Sequence, residues 1–239
     1  MDLTVIGCST TWTDKPVSSY CLNNNILLDA GEGTFKYYKS CGVNFFDIKH
    51  IFVTHFHTDH FGGLGAHISQ VIAYENENQK YRLSIYGPKG LLNALTIFKE
   101  NFSCPGFDKK IEDYIKVVEL EDNSQFEIEG LKVKTYLLNH GRINNMAYSF
   151  TKDDFTLGYS GDCTYDEKVD NFVADCNFAL LDCCAEKTSK SHMGAEHLTI
   201  FKNKYPNKRL VAVHCTDEFL DKAKKYNIET TYSGCKYHF

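Results

Sequence analysis

The 239-residue chain has no CxxC pair, no Pro/Ser/Gly-rich linker, no low-complexity tract and no internal repeat of fixed period. It also lacks an apolar run of membrane-spanning length, so no membrane is expected as a partner. Its start, Met1-Asp2-Leu3-Thr4-Val5-Ile6, carries neither a basic n-region nor an apolar h-region. A secretory signal is therefore not expected, and a cytoplasmic location is. Ten scattered cysteines could serve as disulfides in an exported protein. Without a signal the expectation is a reduced state, with Cys21, Cys176 and Cys183 acting as small hydrophobes inside apolar strand-like segments. An excess of positive charge is missing too. The formal charge is −5, which disfavours a dedicated polyanion binder. Two local basic stretches, Lys202 to Arg209 and Lys222 to Lys225, fall on or beside expected helices and read as solvated faces. With 43% hydrophobic residues and no linker, residues 1–239 are expected to form a single domain with a sizeable core.

What the chain does have is His55-Phe56-His57-Thr58-Asp59-His60, directly after the apolar stretch Ile51-Phe52-Val53-Thr54 and before Gly62-Gly63-Leu64. A chain leaving a sheet through such a loop can aim several imidazole nitrogens and a carboxylate oxygen at one point. That donor set suits a borderline-soft dication such as Zn²⁺. With further ligands arriving from elsewhere, the loop holds more donors than one catalytic ion takes, which points to two metals. Three other segments put a chemistry-bearing residue at the end of a strand-like stretch: Asn139-His140-Gly141, Ser160-Gly161-Asp162 and Val211-Ala212-Val213-His214.

In that order, these four motifs resemble those of the metallo-β-lactamase fold superfamily of metal-dependent hydrolases. The openings Ile6-Gly7-Cys8-Ser9-Thr10 and Leu27-Leu28-Asp29-Ala30-Gly31-Glu32-Gly33 are also similar to its first strands. The resemblance implies an α/β fold, a four-layer αββα metallo-β-lactamase-type sandwich of two packed mixed sheets with outer helices. It implies that Asp162 bridges two Zn²⁺ ions, with Mn²⁺ or Fe²⁺ fitting similar ligands. His55, His57 and His140 would complete one site, and Asp59, His60 and His214 the other. A hydroxide between the metals would be the nucleophile, oriented by Asp59. Cys163 and Cys215, each directly after an implied ligand, are expected near the metals.

Ser191-His192-Met193-Gly194-Ala195-Glu196 resembles the additional histidine motif of the ribonuclease Z-like branch, and Ile85-Tyr86-Gly87-Pro88-Lys89-Gly90-Leu91 its strand-to-helix junction. His192 is thereby implied as the general acid that protonates the leaving oxygen. Two departures bear on substrate. His140 and Asp162 are only 22 residues apart, leaving no room for the long arm of the tRNA-processing members. Where that branch carries a supporting Glu, this chain has Cys183-Cys184-Ala185, leaving Asp182 or Glu186 to support His192.

A compact site suits a small phosphodiester such as a cyclic nucleotide, with nucleic acid disfavoured as a partner. Maturation of tRNA 3′ ends is the alternative, as is hydrolysis of a lactone, thioester or sulfate ester on the same metals. The iron-containing, oxygen- or nitric oxide-reducing members place a carboxylate where His57 stands, so His57 favours zinc hydrolysis. A homodimer is implied by resemblance alone.

Periodicity and turn residues predict the elements. Strands are expected at Leu3 to Gly7, Ser19 to Leu22, Ile26 to Ala30, Lys49 to Thr54 and Tyr81 to Tyr86, the last stopped by Gly87-Pro88. Strand pattern then runs from Tyr114 to Tyr159, with turns near Asp122-Asn123, Glu129-Gly130 and Asp153-Asp154, and returns at Asn177 to Leu181 and Arg209 to Val213. Helices are expected at Glu32 to Ser40, Leu64 to Tyr74, Leu91 to Phe102, Asp166 to Ala174, His197 to Tyr205 and Glu218 to Tyr226. His50, His67 and His238 have no strand-end placement and read as ordinary residues.

Overall fold

The computed structural model describes residues 1–75, 83–103 and 110–239. Seven strands form a first sheet: β1 (Asp2–Gly7), β2 (Ser19–Leu22), β3 (Ile26–Leu28), β4 (His50–Phe52), β5 (Leu83–Pro88), β6 (Ile115–Leu120) and the late β14 (Lys236–His238), in the order β14-β1-β2-β3-β4-β5-β6. The second sheet comprises β7 (Gln125–Ile128), β8 (Leu131–His140), β9 (Ile143–Lys152), β10 (Phe155–Tyr159), β11 (Phe178–Asp182), β12 (Arg209–Val213) and β13 (Glu229–Thr230), in the order β13-β12-β11-β10-β9-β8-β7. Both sheets are mixed: β1-β2-β3 and β7-β8-β9-β10 pair antiparallel, whereas β3-β4-β5-β6 and β10-β11-β12-β13 pair parallel.

Strand alternation divides the core into three apolar layers. Side chains on one strand point to opposite faces in turn. Ile26 and Leu28 of β3 join the cluster between the sheets, together with Tyr148, Phe150, Val211 and Val213 from the other sheet. Their neighbour Leu27 faces outward to Leu64, Ile68 and Leu95, which lie on helices α2 (Leu64–Glu75) and α3 (Leu91–Phe98). On the far side, Leu210 and Ala212 meet Val169, Phe172, Leu198 and Phe219, carried by α4 (Glu167–Asp175), α5 (Ala195–Lys204) and α6 (Asp217–Lys222). The result is the expected αββα sandwich. Among the described residues, no helix is long and apolar enough to cross a membrane.

The structure corrects several expected boundaries. Glu32 to Ser40 is not a full helix; only Thr34–Tyr37 turns, as a 3₁₀ segment. Gly33 is left-handed at φ 75°, and the following N–H groups bond three residues back (Thr34 to Gly31, Lys36 to Gly33, Tyr38 to Phe35). The strand expected over Lys49 to Thr54 ends at Phe52. Past that point Thr54 N–H turns to the Asp29 carboxylate at 2.7 Å, and Thr54 C=O accepts from Met146 N–H of the opposite sheet at 2.9 Å.

Gly87-Pro88 does not stop β5, because both residues pair with β6. Pairing with β4 ends at Tyr86, so the missing Pro88 N–H faces a side where β4 supplies no further partner. The expected start of β5, Tyr81, lies outside the described residues. The helix from Leu91 ends at Phe98 and continues as a π-turn over Lys99–Ser103. β13 and β14 had no counterpart in the sequence reading.

Candidate metal centre

β4 delivers the histidine loop to one rim of the sandwich. Thr54 is the pivot: its hydroxyl donates to Asp29 Oδ2 at 2.8 Å and lies 3.0 Å from His55 Nδ1. His57 then caps α1 (Thr58–Phe61), a single helical turn that carries Asp59 and His60. The segment after β3 clasps this turn, with Ala30 N–H on His60 C=O at 2.8 Å and Glu32 N–H on Thr58 C=O at 3.0 Å. The approach explains Gly31, where a Cβ would sit 2.1 Å from the Asp59 carbonyl oxygen.

The second sheet brings the remaining residues to the same rim. His140 ends β8, Asp162 follows β10, Asp182 ends β11 and His214 follows β12. Gly161, at φ 58°, turns the chain into Asp162, and a Cβ there would lie 2.2 Å from Asn145 Oδ1. His214 also adopts a left-handed backbone, φ 56°, with its N–H held by Cys8 C=O at 2.8 Å. Such strain in a residue with a Cβ persists only where surrounding structure enforces it.

All seven residues read from the sequence as metal ligands converge. Ligand atoms of His55, His57, His140 and Asp162 lie within 4.8 Å of one another, as do those of Asp59, His60, Asp162 and His214. Asp162 belongs to both groups: its Oδ1 is 3.1 Å from His60 Nε2, and its Oδ2 is 3.4 Å from His214 Nε2, 3.8 Å from His140 Nε2 and 3.9 Å from His55 Nε2. Asp59 Oδ2 is 3.1 Å from His214 Nε2. His57 is the exposed member, and the others are buried.

The fit to cations rests on the atoms left over. His55 Nε2, His60 Nε2 and Asp162 Oδ1 are buried and have no hydrogen-bond partner, an arrangement that is costly unless an ion satisfies it. The tautomers agree with that reading. His140 Nδ1 donates to Ser191 C=O at 2.6 Å, and His60 Nδ1 to Asp29 Oδ2 at 2.6 Å, so each Nε2 is left as an acceptor facing the cluster.

Electrostatics splits the cluster. Burial pushes the His55, His57 and His140 rings below their ordinary value, toward the neutral, ligating form. Burial opposes charge on His60 and His214 as well. There the negative charge of Asp162, aided by Asp29 at His60 and by the Asp59 hydrogen bond at His214, wins and lifts them, His60 to about 10. Burial would raise the Asp59 carboxyl, but the His214 hydrogen bond and the His60 charge hold it below the carboxylate range. This half of the site therefore calls for positive charge, from protons or from a cation.

His192 sits beside the cluster. Its Nδ1 is 3.0 Å from Asp182 Oδ2, and its ring stacks on His214 with centroids 5.0 Å apart. Burial opposes its charge, yet the Asp182 hydrogen bond raises its pKa; burial raises that of Asp182. Both shifts keep a proton on the pair. Of the two candidate supports, Asp182 makes this contact, whereas Glu186 engages Tyr226 and Lys222 at 2.8 and 2.9 Å.

The sequence reading missed Asp29 and Cys184. Asp29, fully buried, accepts from Thr54 N–H, Thr54 Oγ1, His60 Nδ1 and Tyr159 OH; its strand-end position was the available signal. Cys184, not the expected Cys163 or Cys215, has its sulfur within 4.8 Å of ligand atoms of His192 and His214.

Two cavities flank the cluster and share Phe56 and His57 as a wall. One, of about 790 Å³, contains Asp162, His192, His214 and Trp12. The other, of about 650 Å³, is mostly apolar and is lined by Pro88, Leu120, Leu137 and Met146.

Known proteins share this architecture. The metallo-β-lactamase fold protein YhfI from Bacillus subtilis superposes with a TM-score of 0.78 at 16% identity, over 99% of this chain and 98% of that one. A diphosphatase from the PhnP family gives 0.78 at 17% identity, over 100% and 97%. In sequence, a ribonuclease Z of Pyrococcus furiosus is 33% identical over 130 residues, 54% of this chain but only 39% of that protein's length. The fold is thus the metallo-β-lactamase type, and over about half its length the chain is similar in sequence to a ribonuclease Z. The family described as Anti-Pycsar protein Apyc1 matches residues 1–232, nearly the whole chain, and this protein belongs to that family.

Proposed function

We propose that the protein is a dinuclear zinc-dependent phosphodiester hydrolase acting on a small or cyclic nucleotide. The observation that carries this reading is Asp162, common to the His55–His57–His140 and Asp59–His60–His214 candidate groups, with the His192–Asp182 pair next to it. His55, His57, His140 and Asp162 would hold one ion, and Asp59, His60, Asp162 and His214 the other. Two such cations, when bound, would supply an activated water at neutral pH and neutralise the charge that builds on an attacked phosphoryl group.

The chain's own groups do the rest. Asp59 orients the attacking water through its carboxylate. His192, with Nδ1–H donated to Asp182, keeps Nε2–H free to protonate the departing oxygen. Ribonuclease Z among the sequence relatives and a diphosphatase among the structural neighbours support phosphorus–oxygen bond cleavage over lactone, thioester or sulfate-ester hydrolysis.

A small substrate is favoured by two observations. The stretch between His140 and Asp162 is taken up by β9, β10 and tight turns, which leaves no arm for a tRNA. Three cations of the basic stretches are also paired: Lys204 with Asp170 at 2.5 Å, Arg209 with Glu229 at 2.7 Å and Lys222 with Glu218 at 2.7 Å. Processing of tRNA 3′ ends remains the second reading, favoured by the ribonuclease Z relative. We further read residues 1–239 as one domain, because residues of both sheets form one intervening core, and place the protein in the cytoplasm as a homodimer.

The test combines metal analysis with a substrate panel of bis-p-nitrophenyl phosphate, cyclic nucleotides, lactones and precursor tRNA. Two metals per chain and turnover of a cyclic nucleotide are expected. Asp162→Ala should abolish activity and lower bound metal to one ion or none. Full activity with two metals retained in that variant would refute the bridging role.

A further inference from the structure

We propose that Trp12 is the base-recognition residue of this site, its indole forming the face on which the nucleobase stacks while the phosphodiester lies at Asp162. The inference rests on the nucleotide reading above and deepens it.

Trp12 is the only tryptophan in the chain, and it is 94% exposed. Large aromatic surface left in water is unfavourable, and here it sits inside a site. Trp12 lines the same cavity as Asp162, His192 and His214. At about 790 Å³ that cavity is of a size to take a mononucleotide.

The loop is tied down on both sides of the indole. Cys8 N–H bonds Pro16 C=O at 3.0 Å, and Thr13 Oγ1 bonds Ser9 Oγ at 2.8 Å. Ser9 bridges to Cys215, the residue after His214, and Lys15 pairs with Asp217 at 2.5 Å. The loop backbone is thus held in place relative to the candidate ligand His214.

Charge narrows what can lie there. The same lobe carries Asp217 and Glu218, and its nearby cation, Lys15, is already paired. A second phosphate is unwelcome in such a place. A neutral ring is not, and base–aromatic stacking works for every base because each has a π face. Phe56, 37% exposed in the same cavity, offers a second aromatic surface.

Because Trp12 is the sole tryptophan, its fluorescence reports directly on the proposed contact. On the metal-loaded full chain, nucleoside 5′-monophosphates should quench the emission saturably, and ribose 5-phosphate should not. In turnover, Trp12→Ala should lower kcat/KM for a cyclic nucleotide about tenfold, mainly through KM, and Trp12→Phe should recover most of it. Neither variant should change turnover of ribose 3′,5′-cyclic phosphate, which lacks a base. The side chain is so exposed that folding should be unaffected, with equal circular dichroism and metal content as controls.

Absence of nucleotide-specific quenching, together with an unchanged KM in Trp12→Ala, would overturn the proposal. So would equal loss on the base-free substrate, or a change in oligomeric state alone, which would mean that the indole meets a second copy of the chain. If no cyclic nucleotide is turned over, the substrate reading falls, and the quenching by mononucleotides still decides the Trp12 contact separately.

Discussion

His192 has one ring nitrogen committed to Asp182, a carboxylate with no exposure that also accepts from Cys163 N–H at 2.9 Å. The arrangement fixes the ring and favours its protonated form, as a proton donor requires. His192→Ala should spare metal content and slow turnover by roughly 10²–10⁴-fold, the usual scale for a positioned acid. The loss should be largest on substrates with poor leaving groups, where the proton matters most. An unchanged rate on such a substrate would remove the assignment. His192 was legible as a candidate because its local motif resembles a known one. Asp29 was not, since it acquires its meaning from a histidine 31 residues away, and for Asp182 the sequence left Glu186 as an equal alternative.

Local pattern told strands and helices apart well where a short apolar run is buried on both faces. β12 begins and ends where expected, Arg209 to Val213, because its inward and outward residues serve two different apolar layers. It failed at Thr34–Tyr37, where the backbone tightens to bonds three residues back, and at the end of β4, where Thr54 bonds Asp29 and Met146, partners that a sequence window does not contain.

Helix α2 adds a test of its own. His67 on this helix is fully buried, with Nε2 2.9 Å from Tyr38 OH and its ring stacked on Phe45 at 4.6 Å. Burial pushes its pKa down to about 3. The unfolded chain takes up a proton near pH 6.5, and the folded ring refuses it until about pH 3. This contribution to stability is therefore complete above pH 6.5 and is lost as pH falls from there toward 3, at up to about 1.4 kcal/mol per pH unit. His67→Phe should abolish that component. Between pH 7 and pH 5, denaturant unfolding should show the variant gaining about 2 kcal/mol relative to wild type. A pH-independent difference would mean that His67 is not held neutral in the core.

At the scale of the molecule, the candidate metal centre is also a clasp between the two sheets. His55, His57, Asp59 and His60 follow the first sheet, whereas His140, Asp162 and His214 come from the second. Tyr148 OH donating to Val53 C=O at 2.5 Å and Met146 N–H donating to Thr54 C=O at 2.9 Å join the sheets beside it. Removal of the ions should expose like charge on Asp59 and Asp162 and leave buried nitrogens without partners. Chelation is accordingly expected to lower unfolding free energy by about 3–4 kcal/mol, the linkage expected at free metal 100–1,000 times Kd. Zinc should restore it, and Asp162→Ala should be nearly insensitive to chelator in thermal unfolding. Equal melting with and without chelator in the wild-type protein would separate metal binding from sheet association.

Sequence alone determined the layered α/β architecture, and the family resemblance pointed to the seven candidate ligand side chains that converge. Strand alternation is a local property, and the HxHxDH spacing brings four donors together within one turn. The tertiary structure decided what surrounds them. The choice of Asp182 over Glu186, the anchoring of His60 by Asp29, and the position of Trp12 over the cavity all depend on how two sheets meet at one rim. Those contacts join residues of different elements, and no periodicity within a segment encodes them.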